Sequence, residues 1–251
     1  MCTIDDRTAK MLRHYAQKYE TKEFLDGDPS WFMHQVDGKL NKEAMAFVAS
    51  CISYGSRKQF MSKINNILDW CGGDIDAYIR RGLYERHFAV DDNGCFYRLY
   101  SHSKMFYFFA AYSKLLNTYG SLGEYVRQNA HRGFEAVDAI CRYFGSEGVS
   151  VVVPKDATSA CKRVCMFLRW MVRDNSPVDL GLWTDFIDKR TLVMPLDTHV
   201  VTQSQRLGLI ACKNTSMRVA QKLTATLTQI FPDDPLKGDF ALFGYGVNNA
   251  R

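Results

Sequence analysis

One stretch of the sequence combines a carboxylate with a turn that would fix its position. In Met194–Val200, Pro195 keeps the preceding residue out of the helical region, so the chain should be extended here. Asp197 then precedes an apolar pattern at helical spacing, which predicts that it is a helix N-cap. An N-cap carboxylate accepts backbone N–H bonds in the positive field of the helix start, and both favour its charged form. Asp197 could therefore stabilise a developing cation, or it could only cap the helix.

A second stretch, Ser53–Lys58, has the residues of an anion site. One helical pattern ends near Tyr54 and another begins at Ser56, so backbone amides and a hydroxyl meet at a helix start. Arg57 and Lys58 add positive charge there. The alternative is an ordinary exposed arginine at the beginning of a helix.

Helices should position both stretches. Apolar residues recur at helical spacing along most of the chain, which predicts an all-α fold. The longest predicted helices cover 6–20, 101–118, 157–173 and 215–231, with a last helix over 239–245. The clearest β signal is Asn93-Gly94, a common hairpin turn, so we expect a small β excursion or an irregular loop within 85–100.

The composition is that of a folded protein with a large core. The chain has 251 residues, of which 47% are hydrophobic and 13% aromatic, enough for one large domain or two packed lobes. The formal charge of +5 favours anionic partners only mildly. No apolar run is long enough to span a membrane, and the N-terminus lacks the layout of a signal peptide, so we expect a cytoplasmic protein.

The cysteines do not form a recognisable metal or disulfide pattern. Eight are scattered without a C-x-x-C pair: Cys2, Cys51, Cys71, Cys95, Cys141, Cys161, Cys165 and Cys212. We expect them to be reduced and mostly buried, and we expect neither a metal nor a cofactor.

The two segments Ala160–Arg173 and Met194–Leu209 resemble the helix-hairpin-helix/Gly-Pro-Asp superfamily of DNA glycosylases. The likeness is greatest to the 8-oxoguanine branch and its archaeal relatives, whose catalytic aspartate lies in a Pro-x-Asp-x-His segment. The whole chain resembles more closely a bacterial family of unknown function that has been grouped with this superfamily. The segments that carry this closer match are Ser53–Arg57, Lys162-Arg163, Phe167–Arg173, Val178–Trp183, Pro195–His199 and Asp239–Gly244.

The resemblance implies a fold and an activity. It implies one glycosylase-like unit over 1–251, built of two helical lobes, with the catalytic-type helix and Pro-x-Asp segment at 157–209. The activity would be excision of an oxidised purine, such as 8-oxoguanine, from double-stranded DNA by a monomer with AP lyase activity. Lys162 would attack the sugar C1′, and Asp197 would stabilise the cationic sugar. The spacing of these two residues resembles the archaeal type, although Lys162 could also be an ordinary surface lysine.

The resemblance also assigns DNA contacts. Arg57 would fill the gap left by the extruded base, and Tyr54 could act as a wedge. The hairpin before Lys162 lacks the glycines that hold a phosphate in the relatives, so Lys155 and Ser159 would contact it with their side chains. The other candidates for DNA binding are Ser56, Lys58, Arg163 and His199.

The end of the chain resembles the helix that closes the base pocket. By that likeness Asp239 or Phe240 would read or stack on the extruded purine. The alternative is that this helix only packs against the core, which would explain its apolar residues equally well. Arg169 and Arg173 would face solvent or extend a DNA-facing strip on the Lys162 helix.

Two other functions stay open. The missing hairpin glycines favour a non-catalytic nucleic-acid-binding protein on the same scaffold, and a helical protein-interaction module would make the basic face incidental. Salt-dependent DNA binding separates the interaction module from the other two. Covalent chemistry separates the glycosylase from the binding protein.

Overall fold

The structure is a computed structural model that describes residues 4–211 and 214–249. Helices dominate, which confirms the all-α prediction. The α-helices are α1 (Asp6–Tyr19), α2 (Lys39–Ile52), α3 (Arg57–Cys71), α4 (Ile75–Arg80), α5 (His102–Tyr119), α6 (Leu122–Asn129), α7 (Gly133–Ser146), α8 (Lys162–Val172), α9 (Thr198–Arg206), α10 (Met217–Thr228) and α11 (Lys237–Asn248). Short 3-10 helices cover Lys22–Leu25, Pro29–His34, Leu83–Arg86 and Lys189–Thr191. No helix within the described residues is long and apolar enough to cross a membrane.

The β excursion exists, but its turn lies elsewhere than predicted. Strands β1 (Cys95–Tyr97) and β2 (Tyr100–Ser101) form an antiparallel pair whose turn is Arg98-Leu99. Asn93-Gly94 lies before β1 instead, because two hydrogen bonds fix its position. The Asp92 carboxylate accepts the Gly94 N–H at 2.7 Å, and the Asn93 amide oxygen accepts the Ser103 hydroxyl at 3.2 Å.

Helix α8 begins later than the sequence pattern predicted. The helix was expected from Ala157, but its first residue is Lys162. Cys161, just before it, has a left-handed backbone with φ of 44°, which interrupts a right-handed helix. Ser159 is also held in an isolated antiparallel bridge to Ser216. The delayed start places Lys162 at the N-terminal end of the helix.

The chain divides into two compact units. The first comprises Met1–Asp26, His131–Val137 and Ala157–Arg251, and the second comprises Gly27–Ala130 and Asp138–Asp156. In the first unit, α1 packs closely along α11. Gly244 of α11 allows this contact, because a Cβ there would lie 2.3 Å from the Tyr19 ring.

The second unit has an aromatic core. Helix α5 supplies the buried Phe108 and Tyr112, and Phe47 of α2 and Phe144 of α7 pack with them. The ring centroid of Phe47 lies 5.1 Å from those of Tyr112 and Phe144. Clusters of this kind stabilise a fold mainly by removing large apolar areas from water.

The cysteines that the structure describes are thiols and not disulfides. Cys51, Cys141, Cys161 and Cys165 are buried, as expected, whereas Cys95 is exposed. Cys2 and Cys212 lie outside the described residues.

Candidate active site

Asp197 is an N-cap, as predicted. Its backbone is extended, and its Oδ1 accepts the Val200 N–H at 2.8 Å at the start of α9. Pro195 and Leu196 before it are buried, and the Met194 N–H donates to the Thr224 hydroxyl of α10 at 2.9 Å. The carboxylate is thus held by a cap on one side and by an anchored, extended segment on the other.

Lys162 lies opposite this carboxylate. Its Nζ is 3.3 Å from Asp197 Oδ2, while Asp197 Oδ1 is used by the cap. The lysine side chain is 35% exposed and that of the aspartate 37%. The pair is therefore formed within the fold and is still accessible from solvent. The left-handed Cys161 directly before Lys162 is a backbone feature often found at functional sites.

A second carboxylate, that of Asp239 on α11, lies near the pair. Burial raises the pKa of Asp239 above its usual range, and the Arg169 guanidinium opposes this rise. The charge of Asp197 raises the same pKa and that of Lys162 lowers it, so all three groups share one electrostatic environment. The structure thus brings together three of the residues predicted as site residues.

Asp239 is held by an ion-pair network that the sequence did not predict. Arg169 donates to Asp239 and, from its Nε, to Asp179 at 3.3 Å. Arg173 donates to Asp179 as well, and its Nε lies 2.9 Å from Asp234. Its Nη2 also donates to Glu20 at 2.6 Å. We call these six residues the α8 charge network.

The two arginines are buried, so the prediction that they face solvent or DNA is wrong. Arg169 is 3% exposed and Arg173 is fully buried. The reason is that four carboxylates from other parts of the first unit compensate their charges, which makes burial tolerable. The signal in the sequence was that the two arginines lie four residues apart along a segment whose other residues are mostly apolar, where a solvated arginine would be unusual.

Phe240 lies behind Asp239 and is fully buried. Its ring is 4.7 Å from the Arg169 guanidinium carbon and 5.3 Å from that of Arg173. The Phe24 ring packs against it in an edge contact, at 4.8 Å between centroids. These cation–π and edge contacts fix the helix that carries Asp239.

His199, in the first turn of α9, is exposed and packs against α11. A Cβ at Gly246 would lie 2.5 Å from His199 Nε2, so only glycine allows the ring to sit there. The histidine therefore stands at the contact between the helix that Asp197 caps and the helix that carries Asp239.

The remaining candidates of the first unit flank the start of α8. Ser159 is exposed, and its Oγ lies 3.5 Å from Cys161 Sγ. Arg163 follows Lys162 and is partly exposed. Both lie within a few residues of the Lys162 amine along the chain.

Five candidates belong to the second unit. Lys155 is exposed on a bend, and its backbone passes so close to Gly145 that a Cβ there would be 2.7 Å from the Lys155 carbonyl oxygen. Ser56 is the N-cap of α3 without a capping bond from its side chain, and Arg57 and Lys58 are exposed after it. Tyr54 is partly exposed and carries several contacts with the β1–β2 turn.

The described residues contain a separate cavity of about 440 Å³ in the first unit. It is lined by the start of α7, the segment Arg190–Val193 and the outer face of α10, and its lining includes neither Lys162 nor Asp197. Within 4–211 and 214–249, no group of three or more histidine, cysteine, aspartate or glutamate side chains is arranged to hold a metal ion.

A family model described as a protein of unknown function, DUF2400, matches residues 28–248. The chain therefore belongs to this family. Comparisons with curated proteins and with solved structures gave no match.

Proposed function

We propose that this protein is a DNA glycosylase with AP lyase activity that removes an oxidised purine, such as 8-oxoguanine, from double-stranded DNA. The observation that carries the proposal is the contact of 3.3 Å between Lys162 Nζ and Asp197 Oδ2. An amine beside a carboxylate, both accessible, is the pair that this reaction requires. The resemblance of the two surrounding segments to the glycosylase superfamily supplies the reaction class.

The lysine is the nucleophile in this proposal. The Lys162 ammonium first gives up a proton, and Asp197 Oδ2 is placed to accept it. As the bond from Nζ to C1′ forms, the bond from C1′ to the base nitrogen breaks. Its electron pair leaves with the base, which takes up the proton that Asp197 had accepted, so Asp197 is again a charged carboxylate. Nζ then passes a proton to O4′ as the C1′–O4′ bond opens, which leaves a protonated Schiff base between Nζ and C1′. Asp197 next takes a proton from C2′, and the electron pair of that bond forms the C2′–C3′ double bond and expels the 3′ phosphate.

Asp197 has a second role. While the base leaves, positive charge develops on the sugar, and a fixed carboxylate lowers the energy of that state. Because the Val200 N–H holds Oδ1, the carboxylate does not have to reorganise during the reaction. Asp239 lies beside this pair, where it would face an extruded base.

The test is borohydride trapping on duplexes that carry 8-oxoguanine or an abasic site. Borohydride reduces a Schiff base to a stable amine, so the wild-type protein should give a covalent adduct on both duplexes. The Lys162→Gln variant should give none. Lys222→Gln, which removes an exposed lysine on α10, is the control and should trap like the wild type.

Two results would overturn the proposal. Wild-type protein that binds both duplexes without forming an adduct would be a nucleic-acid-binding protein without lyase chemistry. Adduct formation that persists in Lys162→Gln would assign the chemistry to another amine.

A further inference from the structure

The most exposed large apolar side chain among the described residues is Leu99, at the turn between β1 and β2. The residue is 68% exposed. A single exposed leucine is ordinary on a protein surface. Leu99 differs because its backbone is fixed on both sides and because cations surround it.

Two side chains hold the backbone of Leu99. Its N–H donates to the Tyr54 hydroxyl at 3.1 Å, and its carbonyl oxygen accepts from Lys104 Nζ at 3.0 Å. Tyr54 is itself held, since its carbonyl oxygen accepts the Tyr97 hydroxyl and its ring packs against the Tyr97 and Tyr100 rings. The turn is therefore built to present an apolar side chain in one position.

Arg98 completes the turn. Its backbone is left-handed, with φ of 52°, and its guanidinium carbon lies 5.5 Å from the Tyr54 ring. The side chain lies against Gly55, where a Cβ would be 2.9 Å from Arg98 Nη1. Arg98 thus connects the turn to the elbow before α3, where Arg57 and Lys58 are exposed.

The surroundings of Leu99 are basic. Arg98 is the neighbouring residue of the turn, Lys104 bonds to the Leu99 carbonyl oxygen, and Lys63 Nζ lies 5.1 Å from the centroid of the Phe96 ring in β1. The acidic residues nearest along the chain, Asp91 and Asp92, lie at the open end of the strand pair, away from the turn. A fixed apolar side chain surrounded by cations is complementary to duplex DNA. The stacked bases are apolar, and the phosphates on either side of them are negatively charged.

We propose that Leu99 enters the base stack of duplex DNA, with Arg98, Lys104, Arg57 and Lys58 on the flanking phosphates. This inference rests on the proposed function, because a glycosylase has to open the duplex at a lesion and Leu99 is the residue proposed to do so. In it, Tyr54 supports the turn rather than entering the stack.

The experiment uses duplexes with 2-aminopurine beside an abasic site or beside a normal pair, since this base fluoresces more strongly when it is unstacked. Wild-type protein should raise the fluorescence at the abasic site. Leu99→Ala should lose most of the rise, and its preference for the abasic duplex should fall about tenfold because a buried apolar contact is removed. Its affinity for undamaged duplex, and the dependence of that affinity on salt, should be unchanged because the cations remain.

Two variants serve as controls. Leu99→Met keeps an apolar side chain and should restore the fluorescence rise. Leu40→Ala, which removes another exposed leucine of the same unit, should behave like the wild type.

The possible failures are distinguishable. If Leu99→Ala raises the fluorescence as much as the wild-type protein does, Leu99 does not enter the base stack, and the proposed glycosylase activity is unaffected. Wild-type protein that does not bind either duplex would overturn the proposed function and this inference with it.

Discussion

Replacing Arg173 by glutamine removes a positive charge that forms ion pairs with three carboxylates. Arg173 is fully buried and donates to Asp179, Asp234 and Glu20. Its pKa stays raised, because the attraction of these carboxylates outweighs the burial that would lower it. Glutamine keeps much of the side-chain volume but leaves the carboxylates without this partner.

The cost should be large because the carboxylates cannot reach water. The Asp179 side chain is completely buried, and those of Asp234 and Glu20 are 8% and 10% exposed. Breaking a buried pair by removing one partner costs about 3–5 kcal/mol. For a chain of this size, that corresponds to a fall in melting temperature of roughly 6–20 °C in scanning calorimetry.

The loss should also depend on pH. Burial raises the pKa of Asp179, and Arg169 and Arg173 oppose the rise. A carboxyl whose pKa is raised in the folded state stabilises that state at low pH, and this contribution is lost as the pH rises through the raised pKa. Without Arg173 the pKa of Asp179 rises further. The loss of stability in Arg173→Gln should therefore be greatest at pH 7 and smaller at pH 5.

The matched control is Arg190→Gln. Arg190 makes a similar two-point contact with Asp188, but their side chains are 63% and 40% exposed, so the change should lower stability far less than Arg173→Gln does. Equal losses in the two variants, or a loss in Arg173→Gln that grows toward pH 5, would refute the reasoning. Adding Asp179→Asn to Arg173→Gln should restore part of the stability.

Two further substitutions test the site itself. Asp197→Asn keeps an N-cap side chain, so the melting temperature should change little while the rate of base excision in a single-turnover assay falls about 10²–10³-fold; an unchanged rate would remove Asp197 from the mechanism. Gly246→Ala places a methyl group against the tip of the His199 ring, and because this ring is exposed it can move away, so the free energy of unfolding in a denaturant titration should fall by no more than about 1 kcal/mol. His199→Ala in the same chain should remove that loss, and a loss that persists would contradict the contact.

Local patterns in the sequence were enough for most of the helices. Apolar spacing predicted α1, α5 and α10 to within a few residues at their ends, because an amphipathic stripe and a cap are properties of neighbouring residues. Asp197 was predicted as an N-cap for the same reason, and its bond to the Val200 N–H confirms it.

Boundaries that depend on distant residues were not predictable. The start of α8 at Lys162 depends on the left-handed Cys161 and on the bridge from Ser159 to Ser216, and neither leaves a signal in the local pattern. The hairpin turn formed at Arg98-Leu99 rather than at Asn93-Gly94, because Asp92 and Ser103 hold the latter segment against the start of α5.

By itself, the sequence determined that the protein is helical and that Asp197 begins a helix. Tertiary structure alone decided which charges meet. It placed Lys162 Nζ 3.3 Å from Asp197 Oδ2 and buried Arg169 and Arg173 among carboxylates from α11, from the C-cap of α1 and from the segments after α8 and before α11. The physical reason is that a helix is set by residues three and four apart, whereas the partner of a buried charge can come from anywhere in the chain.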